Sequence, residues 1–317
     1  MIKLAINGFG RIGRNAFKIA FERHDIKIVA INDLTDTKTL AHLLKHDSTY
    51  GTYDREVKFD DQNIIVDGEK IRVFSEKEPK DLPWSKLQID VVIESTGFFT
   101  DPQKAAKHLD AGAKKVVISA PAKGTGAKTV VIGVNEDTIT KDDKILSNAS
   151  CTTNCIAPVM KVLEDNFGIE KALMTTVHSY TASQRILDAP AKDLREARAA
   201  AENIVPTSTG ASKAAALTIP SLKGKFDGLS IRVPTPVVSL ADITAVLKRD
   251  TTIEELKNVF QKAAKEPFYE GIIKALKKYD VWKIVDNPEN RKIACEDIPS
   301  LLENNNFAVK KILGFID

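Results

Sequence analysis

The chain has 317 residues, of which 43% are hydrophobic and 28% are charged, so it is long enough to bury a core in each of two domains and is not disordered or fibrous in composition. Its 46 Lys and Arg residues nearly balance 43 Asp and Glu residues, which argues against a dedicated nucleic-acid site. Three cysteines form no disulfide framework, and no apolar run approaches the length of a membrane span or signal peptide. We therefore expect a cytoplasmic enzyme with no membrane contact and no metal site.

Strands and helices are predicted to alternate along the first half of the chain. Strands are predicted at 2–6, 26–31, 89–94, 115–119 and near 130–132, and helices at 11–23 and 102–111. Parallel strands need a crossover that returns the chain, and a helix usually supplies it. The alternation therefore favours an α/β fold class, with a Rossmann-type doubly wound sheet over residues 1–149.

The pattern changes in the second half of the chain, where longer strands predominate. A helix is predicted to follow residue 151 and run to about residue 167, and another at 253–265, with strands at 172–178, 229–233 and 239–247. The segment 179–206 between the first two strands is long and charged, and connections of this length are usually functional. We expect an α+β substrate domain with a mixed sheet over residues 150–317. Its tail, from about residue 267, includes a predicted helix at 268–278 and a strand at 281–285.

A glycine-rich turn follows the first predicted strand and opens the first predicted helix. Gly8 permits the tight turn, Gly10 lets the backbone approach a pyrophosphate, and Gly13 allows close packing of helix and strand. Asp33, twenty residues after Gly13, is placed to accept hydrogen bonds from an adenosine ribose and to repel a 2′-phosphate. The pattern predicts NAD as the cofactor, with NADP as a less favoured alternative. A glycine-rich turn that only connects strand and helix, and binds no ligand, is the other interpretation.

A cysteine stands among hydroxyl and amide residues at the start of the second half. Cys151 directly precedes a predicted helical run, and a thiol at a helix N-terminus ionises more easily. His178 ends a predicted strand, from which its imidazole could reach the thiol. Taken singly, each residue is more often structural than catalytic. Cys155, one helical turn further on, is predicted to pack against the core.

Five separated motifs together closely resemble the phosphorylating glyceraldehyde-3-phosphate dehydrogenases. They are Asn7–Arg14, Ser147–Cys155, Thr175–Thr181, Thr207–Gly210 and Ile231–Pro236, and the resemblance runs from residue 1 to about residue 265. It implies oxidation of glyceraldehyde 3-phosphate with NAD and inorganic phosphate, and assembly as a homotetramer. After about residue 265 the tail departs from the family's usual pattern, and we expect it to supply substitute strands and a closing helix.

The resemblance also implies a role for each matching residue. Cys151 would attack the aldehyde and carry a thiohemiacetal and then a thioester, with His178 as its base. The positions that match phosphate sites are Thr181 and Arg232 for the substrate phosphate, and Ser150, Thr152, Thr209 and Gly210 for the attacking phosphate. The positions that match cofactor contacts, beyond Gly8, Gly10 and Gly13, are Arg11, Ile12, Asp33, Lys77, Thr96, Gly97 and Ser119.

Two alternatives stay open at this point. One is the related dehydrogenase of erythrose 4-phosphate, which shares the cysteine and most of the scaffold. The other is a catalytically weak family member that serves as a binding or scaffold protein, suggested by the divergent tail. The phosphate-site residues favour oxidation of glyceraldehyde 3-phosphate over both alternatives. Glu196 occupies a position that is arginine in many bacterial members, which would weaken local attraction for phosphate.

Overall fold

A computed structural model of the protein describes residues 1–269, 272 and 273. These residues form two compact units. The first comprises Met1–Val130 and Glu136–Ala149, and the second comprises Val131–Asn135 and the described residues from Ser150 onward. A 3-10 turn spans Pro267–Tyr269. Most of the helix predicted at 268–278, and every later predicted element, lies outside the described residues.

The first unit is built on a nine-stranded sheet. Its elements are β1 (Ile2–Asn7), α1 (Arg11–Phe21), β2 (Ile26–Asn32), α2 (Thr37–Lys45), β3 (His46–Asp47), β4 (Gly51–Thr52), β5 (Val57–Phe59), β6 (Asn63–Val66), β7 (Glu69–Phe74), α3 (Trp84–Leu87), β8 (Val91–Glu94), α4 (Pro102–Ala105), α5 (Lys107–Asp110), β9 (Lys115–Ile118), β10 (Lys128–Thr129) and β11 (Ile145–Ser147). The sheet order is β10-β11-β9-β8-β1-β2-β7-β6-β5.

The predicted doubly wound parallel sheet is confirmed. Strand β1 lies between β2 and β8 and is parallel to both, so the chain changes direction across the sheet at β1. The central strands are nearly continuous apolar runs because both of their faces are covered; all four residues of β8 and of β9 are buried. The carboxyl ends of β1, β2 and β8 therefore meet at one edge, where open α/β sheets bind ligands.

The structure corrects three details of the prediction for residues 1–149. The strand predicted near 130–132 is wrong: the short strand is β10, and residues 130–135 form a buried turn. A short apolar run signals burial without specifying extended backbone. The helix predicted at 102–111 is split into α4 and α5 at Ala106. The antiparallel pairs β5–β6 and β6–β7 were not predicted. The missed signal for the second pair is Asp67-Gly68, a two-residue hairpin turn with positive φ at both residues.

The second unit contains a four-stranded mixed sheet, as predicted. Its elements are α6 (Cys151–Phe167), β12 (Ile169–Ser179), β13 (Val205–Thr207), α7 (Ala211–Thr218), β14 (Phe226–Val233), β15 (Ser239–Leu247) and α8 (Ile253–Ala263). The order is β13-β14-β12-β15, with β12 parallel to β14 and antiparallel to β15. In the long charged segment 179–206, a 3-10 turn spans Leu194–Ala197.

The two faces of this sheet differ in burial. Along β12 every second residue from Ala172 to His178 is buried, on the face that α6 and α7 contact. The opposite face carries exposed apolar side chains, namely Leu173 (65% exposed), Leu229 (49%), Leu240 (58%) and Val246 (53%). An apolar face of this extent usually marks an interaction surface. Within the described residues, no helix is both long and apolar enough to cross a membrane.

Candidate active site

The start of α6 presents the side chain of Cys151. Ser150 caps this helix, because its hydroxyl oxygen accepts a hydrogen bond from the backbone N–H of Thr153 at 3.0 Å. Ala149, which precedes the cap, is buried and has a φ of 55°, so the chain turns sharply as it leaves β11. This turn and cap put Cys151 at the first helical position, where the helix dipole favours a thiolate.

The structure brings the two predicted catalytic residues together. Cys151 is exposed, and its Sγ lies 3.4 Å from Nε2 of the buried His178. His178 occupies the end of β12, on the covered face of the sheet. The hydrogen bond to His178 is the largest cause that lowers the pKa of the Cys151 thiol below its usual range. A cysteine and base at this distance have the geometry of an activated nucleophile.

The other ring nitrogen of His178, Nδ1, lies against two groups of opposite hydrogen-bonding character. It is 2.7 Å from the backbone carbonyl oxygen of Ser179, which can only accept, and it is also contacted by Nη1 of Arg232, which can only donate. Nε2 is therefore the ring nitrogen that is left to face Cys151. The Ser179 carbonyl was not singled out from the sequence, because a backbone oxygen carries no residue signature.

Arg232 adds a positive charge beside this pair. It lies opposite His178 in the pairing of β12 with β14, and its Nη1 is 3.1 Å from the Ser179 carbonyl oxygen and 2.5 Å from His178 Nδ1. Its Nε is buried and has no hydrogen-bond partner among the described residues. A guanidinium with an unused donor is suited to a phosphate or carboxylate.

Thr181 lies two residues beyond Ser179, in a loop held by Gln184. The Thr181 backbone N–H and hydroxyl both donate to Gln184 Oε1, at 2.9 and 3.1 Å. Gln184 is buried, and its Nε2 has no hydrogen-bond partner among the described residues. Sequence reasoning missed Gln184; its signal was only that of one amide in a long, charged connection.

The remaining predicted phosphate residues occupy helix starts. Gly210 is the N-cap residue of α7, and the Thr209 hydroxyl accepts from the Ala211 backbone N–H at 3.1 Å. Thr152 is half-buried beside Cys151 and hydrogen-bonds to it. Among the described residues, no hydrogen bond links Thr209 or Gly210 to the Cys151–His178 pair. Two helix N-termini with capping hydroxyls nevertheless offer N–H groups suited to an anion.

Two residues near the Cys151–His178 pair, Cys155 and Glu196, have surroundings that the sequence did not predict. Cys155 is exposed, so its predicted packing against the core is wrong: it lies one turn along α6 on the same side as Cys151. Glu196 accepts a hydrogen bond from the Thr207 hydroxyl. Burial lowers the pKa of Arg232, and the charge of Glu196 opposes this shift without cancelling it. Its carboxylate therefore already has a partner within the chain.

The glycine turn of the first unit adopts a geometry that needs glycine at two positions. Gly8 has a φ of +90°, and a Cβ there would lie 2.6 Å from the Thr96 nitrogen. A Cβ on Gly13 would lie 2.1 Å from the Gly8 carbonyl oxygen, whereas a Cβ on Gly10 would meet no atom within 4 Å. Gly8 and Gly13 are therefore required for packing of the turn, and Gly10 leaves open space at the N-terminus of α1.

The residues predicted to bind the cofactor differ in their exposure and in their contacts. Asp33 is half-buried, and its Oδ2 accepts from the Phe9 backbone N–H at 2.7 Å, so it supports the turn and keeps lone pairs for another donor. Thr96 donates from its backbone N–H to Glu94 at 2.9 Å. The other members are Arg11, Ile12, Lys77 and Gly97, which are exposed, and Ser119, which is half-buried.

Comparison with known proteins decides the family. Residues 2–102 match the family described as "Glyceraldehyde 3-phosphate dehydrogenase, NAD binding domain", and residues 150–309 match "Glyceraldehyde 3-phosphate dehydrogenase, C-terminal domain". The chain belongs to the glyceraldehyde-3-phosphate dehydrogenase family. It is thus an NAD-dependent oxidoreductase. The match reaches residue 309, so the family resemblance extends further into the tail than the predicted limit of about residue 265.

Individual relatives agree with this assignment. The chain is 54% identical over 322 residues to "Glyceraldehyde-3-phosphate dehydrogenase" of Borreliella burgdorferi, covering 100% of this chain and 95% of the relative. It is 52% identical over 301 residues to the protein of that name from Geobacillus stearothermophilus, covering 95% and 88%. It is also 56% identical over 274 residues to that of Streptomyces coelicolor, covering 86% and 81%.

The glycine turn fits the NAD of this family. The first turn of α1 carries N–H groups without partners inside the helix, and the open space at Gly10 admits a pyrophosphate next to them. The exposed Ile12 (57% exposed) offers an apolar surface beside it.

A pair of alanine substitutions tests this fit. We expect Gly10→Ala to keep the melting temperature, because its Cβ meets no atom, and to weaken NAD binding about tenfold or more by blocking the pyrophosphate. Gly13→Ala, whose Cβ meets the Gly8 carbonyl oxygen, should lower both the melting temperature and the affinity for NAD. Calorimetric titration with NAD and thermal unfolding measure the two effects. Unchanged NAD affinity in Gly10→Ala would exclude close approach of the cofactor to this residue.

Proposed function

We propose that this chain catalyses the oxidative phosphorylation of glyceraldehyde 3-phosphate to 1,3-bisphosphoglycerate, with Cys151 as nucleophile and His178 as base. The observation that carries the proposal is the 3.4 Å approach of Cys151 Sγ to His178 Nε2, beside an arginine with an unused donor. A protein kept only as a binding partner or scaffold would need neither group.

The reaction follows from the chemistry of these groups. His178 Nε2 takes the thiol proton, the Cys151 thiolate attacks the aldehyde carbon, and the protonated His178 returns this proton to the oxyanion to give a thiohemiacetal. NAD would supply the hydride acceptor when bound. His178 then takes the hydroxyl proton as the hydride leaves, and a thioester remains on Cys151. Inorganic phosphate attacks this thioester, the C–S bond breaks, and the acyl phosphate leaves with the thiolate restored. The contacts of His178 Nδ1 with the Ser179 carbonyl oxygen and with Arg232 keep Nε2 directed at Cys151.

Two anion sites serve this sequence of steps. We assign the substrate phosphate to Arg232 and Thr181. The Arg232 guanidinium lies beside His178, and Thr181 follows His178 in the chain, just after the end of β12. We assign the attacking phosphate to Ser150, Thr152, Thr209 and Gly210, since these residues stand at the starts of α6 and α7. Gln184 Nε2, buried and unpartnered among the described residues, is a further donor for the first site.

Residues 1–149 are assigned to NAD binding and residues 150–317 to catalysis. Within the first range, the glycine turn and Asp33 hold the pyrophosphate and adenosine ribose, with Arg11, Ile12, Lys77 and Ser119 as further contacts and with Thr96 and Gly97 on the nicotinamide side. NAD rather than NADP is favoured because Asp33 repels a 2′-phosphate. The three cysteines and their lack of a disulfide pattern support a cytoplasmic location.

The exposed sheet face supports assembly with further copies of the chain. Leu173, Leu229, Leu240 and Val246 project from neighbouring strands of one face. Soluble homo-oligomers commonly bury such faces against a symmetry-related copy. We propose that the enzyme is a homotetramer in which this face is one of the interfaces.

The function is tested by an assay of NADH formation from two aldehydes. We expect turnover with glyceraldehyde 3-phosphate that depends on inorganic phosphate, because the thioester needs an acceptor. Erythrose 4-phosphate should react at least about tenfold more slowly by kcat/KM. Faster reaction with erythrose 4-phosphate would reassign the substrate, and oxidation at full rate without phosphate would exclude the acyl-phosphate route.

A further inference from the structure

A buried carboxylate lies behind the dinucleotide edge of the first unit. Glu94 is the last residue of β8 and is 2% exposed. Its Oε1 accepts from the backbone N–H of Thr96 at 2.9 Å and from the Thr96 hydroxyl, and its Oε2 accepts from Asn7 Nδ2 at 2.5 Å. His108 Nε2 lies 3.1 Å from the same Oε2. Four donors therefore surround one carboxylate, which is the number that an ionised carboxylate can accept.

The hydrogen bonds of His108 show that this histidine is neutral. Trp84 Nε1, which can only donate, lies 2.9 Å from His108 Nδ1, so Nδ1 must hold a lone pair. The ring proton is then on Nε2 and points to Glu94. Both Trp84 and His108 are fully buried. The His108–Glu94 contact is thus a neutral donor against a carboxylate and not an ion pair.

The negative charge of Glu94 consequently has no cation beside it. Across residues 1–269, 272 and 273, no lysine or arginine forms an ion pair with Glu94. Burying a charge without an opposite charge is costly even when it is fully hydrogen-bonded. Neutral side chains could fill the same space, so the retained charge calls for a function.

The position of Glu94 indicates which ligand would experience the charge. Asn7 ends β1 and accepts a hydrogen bond from Asn32, which ends β2, at 2.7 Å. The network therefore joins the carboxyl ends of β1, β2 and β8. In a doubly wound sheet the dinucleotide crosses these ends, with its adenosine half over the β1–β2 side and its other half over the opposite side of β1, which here is β8.

We propose that the buried carboxylate of Glu94 favours the oxidised over the reduced cofactor. The nicotinamide ring carries a positive charge in NAD⁺ and none in NADH, and the two forms are otherwise nearly identical in shape. A fixed negative charge under the nicotinamide half stabilises only the first, and the low dielectric of the interior strengthens its field. This inference rests on the proposed placement of NAD at the edge formed by β1, β2 and β8.

The test compares two variants that disturb the same contacts and differ in charge. Glu94→Gln removes the charge, and Glu94→Asp keeps it on a shorter side chain. Titration calorimetry of the full-length protein gives the dissociation constants for NAD⁺ and for NADH. We expect Glu94→Gln to weaken NAD⁺ binding about threefold or more beyond its effect on NADH. In Glu94→Asp the ratio of the two constants should stay within about twofold of wild type.

Several outcomes overturn the inference. Equal weakening of NAD⁺ and NADH in Glu94→Gln would show that Glu94 only positions the backbone. If the ratio of the two constants changed as much in Glu94→Asp as in Glu94→Gln, the effect would come from the altered hydrogen-bond geometry and not from the charge. The Gly10→Ala titration distinguishes failure of this inference from failure of the proposed NAD placement. If Gly10→Ala weakens NAD binding as expected, the placement stands even when the Glu94 variants contradict the inference.

A wild-type measurement covers the case in which Glu94→Gln does not fold. The NAD⁺/NADH affinity ratio is measured from about 0.05 to about 0.5 M salt. Salt screens exposed charges over this range and buried charges much less, so we expect a preference for NAD⁺ that changes less than about twofold. A ratio that falls to unity at high salt, or that favours NADH throughout, would overturn the inference.

Discussion

Replacing Cys151 by serine is expected to lower NADH formation about 10⁴-fold or more. A serine hydroxyl at this position is a far weaker nucleophile at neutral pH, and the thiol is the group that His178 approaches. NAD binding should change little, because serine is close to cysteine in size and the substitution leaves the glycine turn intact. Steady-state rates with glyceraldehyde 3-phosphate and calorimetric titration with NAD measure the two quantities.

Cys155→Ser is the matched control for this substitution. Cys155 is also exposed and lies one helical turn along α6, but no hydrogen bond joins it to His178 among the described residues. We expect it to keep at least about half of the wild-type rate. If Cys151→Ser retained more than about 1% of that rate, or Cys155→Ser lost as much as Cys151→Ser, Cys151 would not be the nucleophile.

Replacing His178 by asparagine is expected to slow turnover about 10²- to 10⁴-fold and to make the thiol less reactive. The base is lost, and so is the hydrogen bond that contributes most to lowering the Cys151 pKa. The thiolate is the reactive form. A higher thiol pKa therefore leaves less of it at neutral pH, and alkylation by iodoacetamide should be slower there.

The pH dependence of alkylation separates this effect from a folding defect. The rate should rise with pH in both proteins, with a midpoint at higher pH in His178→Asn, and the two rates should converge well above both midpoints. His24→Asn, a substitution of an exposed histidine in the first unit, is the control and should leave the profile unchanged. An unshifted midpoint in His178→Asn would contradict the assigned hydrogen bond.

The catalytic pair shows how far sequence reasoning reached and where it stopped. The sequence predicted a strand that ends at His178 and a helix that follows Cys151, and the structure brings Cys151 Sγ to 3.4 Å from His178 Nε2. The environment of Arg232 was not predictable in the same way. Its adjacency to His178 depends on the register of β12 against β14, and register is set by non-local contacts.

The errors have a common physical origin. The strand expected near 130–132 and the packing expected for Cys155 were both inferred from residue type alone. Apolar residues are buried in turns as well as in strands, and a cysteine is buried only where another element covers it. The contacts of His108 with Trp84 and Glu94 likewise have no sequence signature, since the two partners come from two other segments of the chain.

The sequence by itself determined the alternating strands and helices, the glycine turn with Asp33, and the choice of Cys151 and His178 as candidate catalytic residues. These are local properties, because hydrophobic period, capping and backbone freedom act within a few residues. Only the tertiary structure decided which nitrogen of His178 faces the thiol, that Arg232 keeps an unused donor beside it, and that a lone carboxylate lies under the dinucleotide edge. Each of these depends on hydrogen bonds between residues far apart in the chain, and burial makes their partners specific.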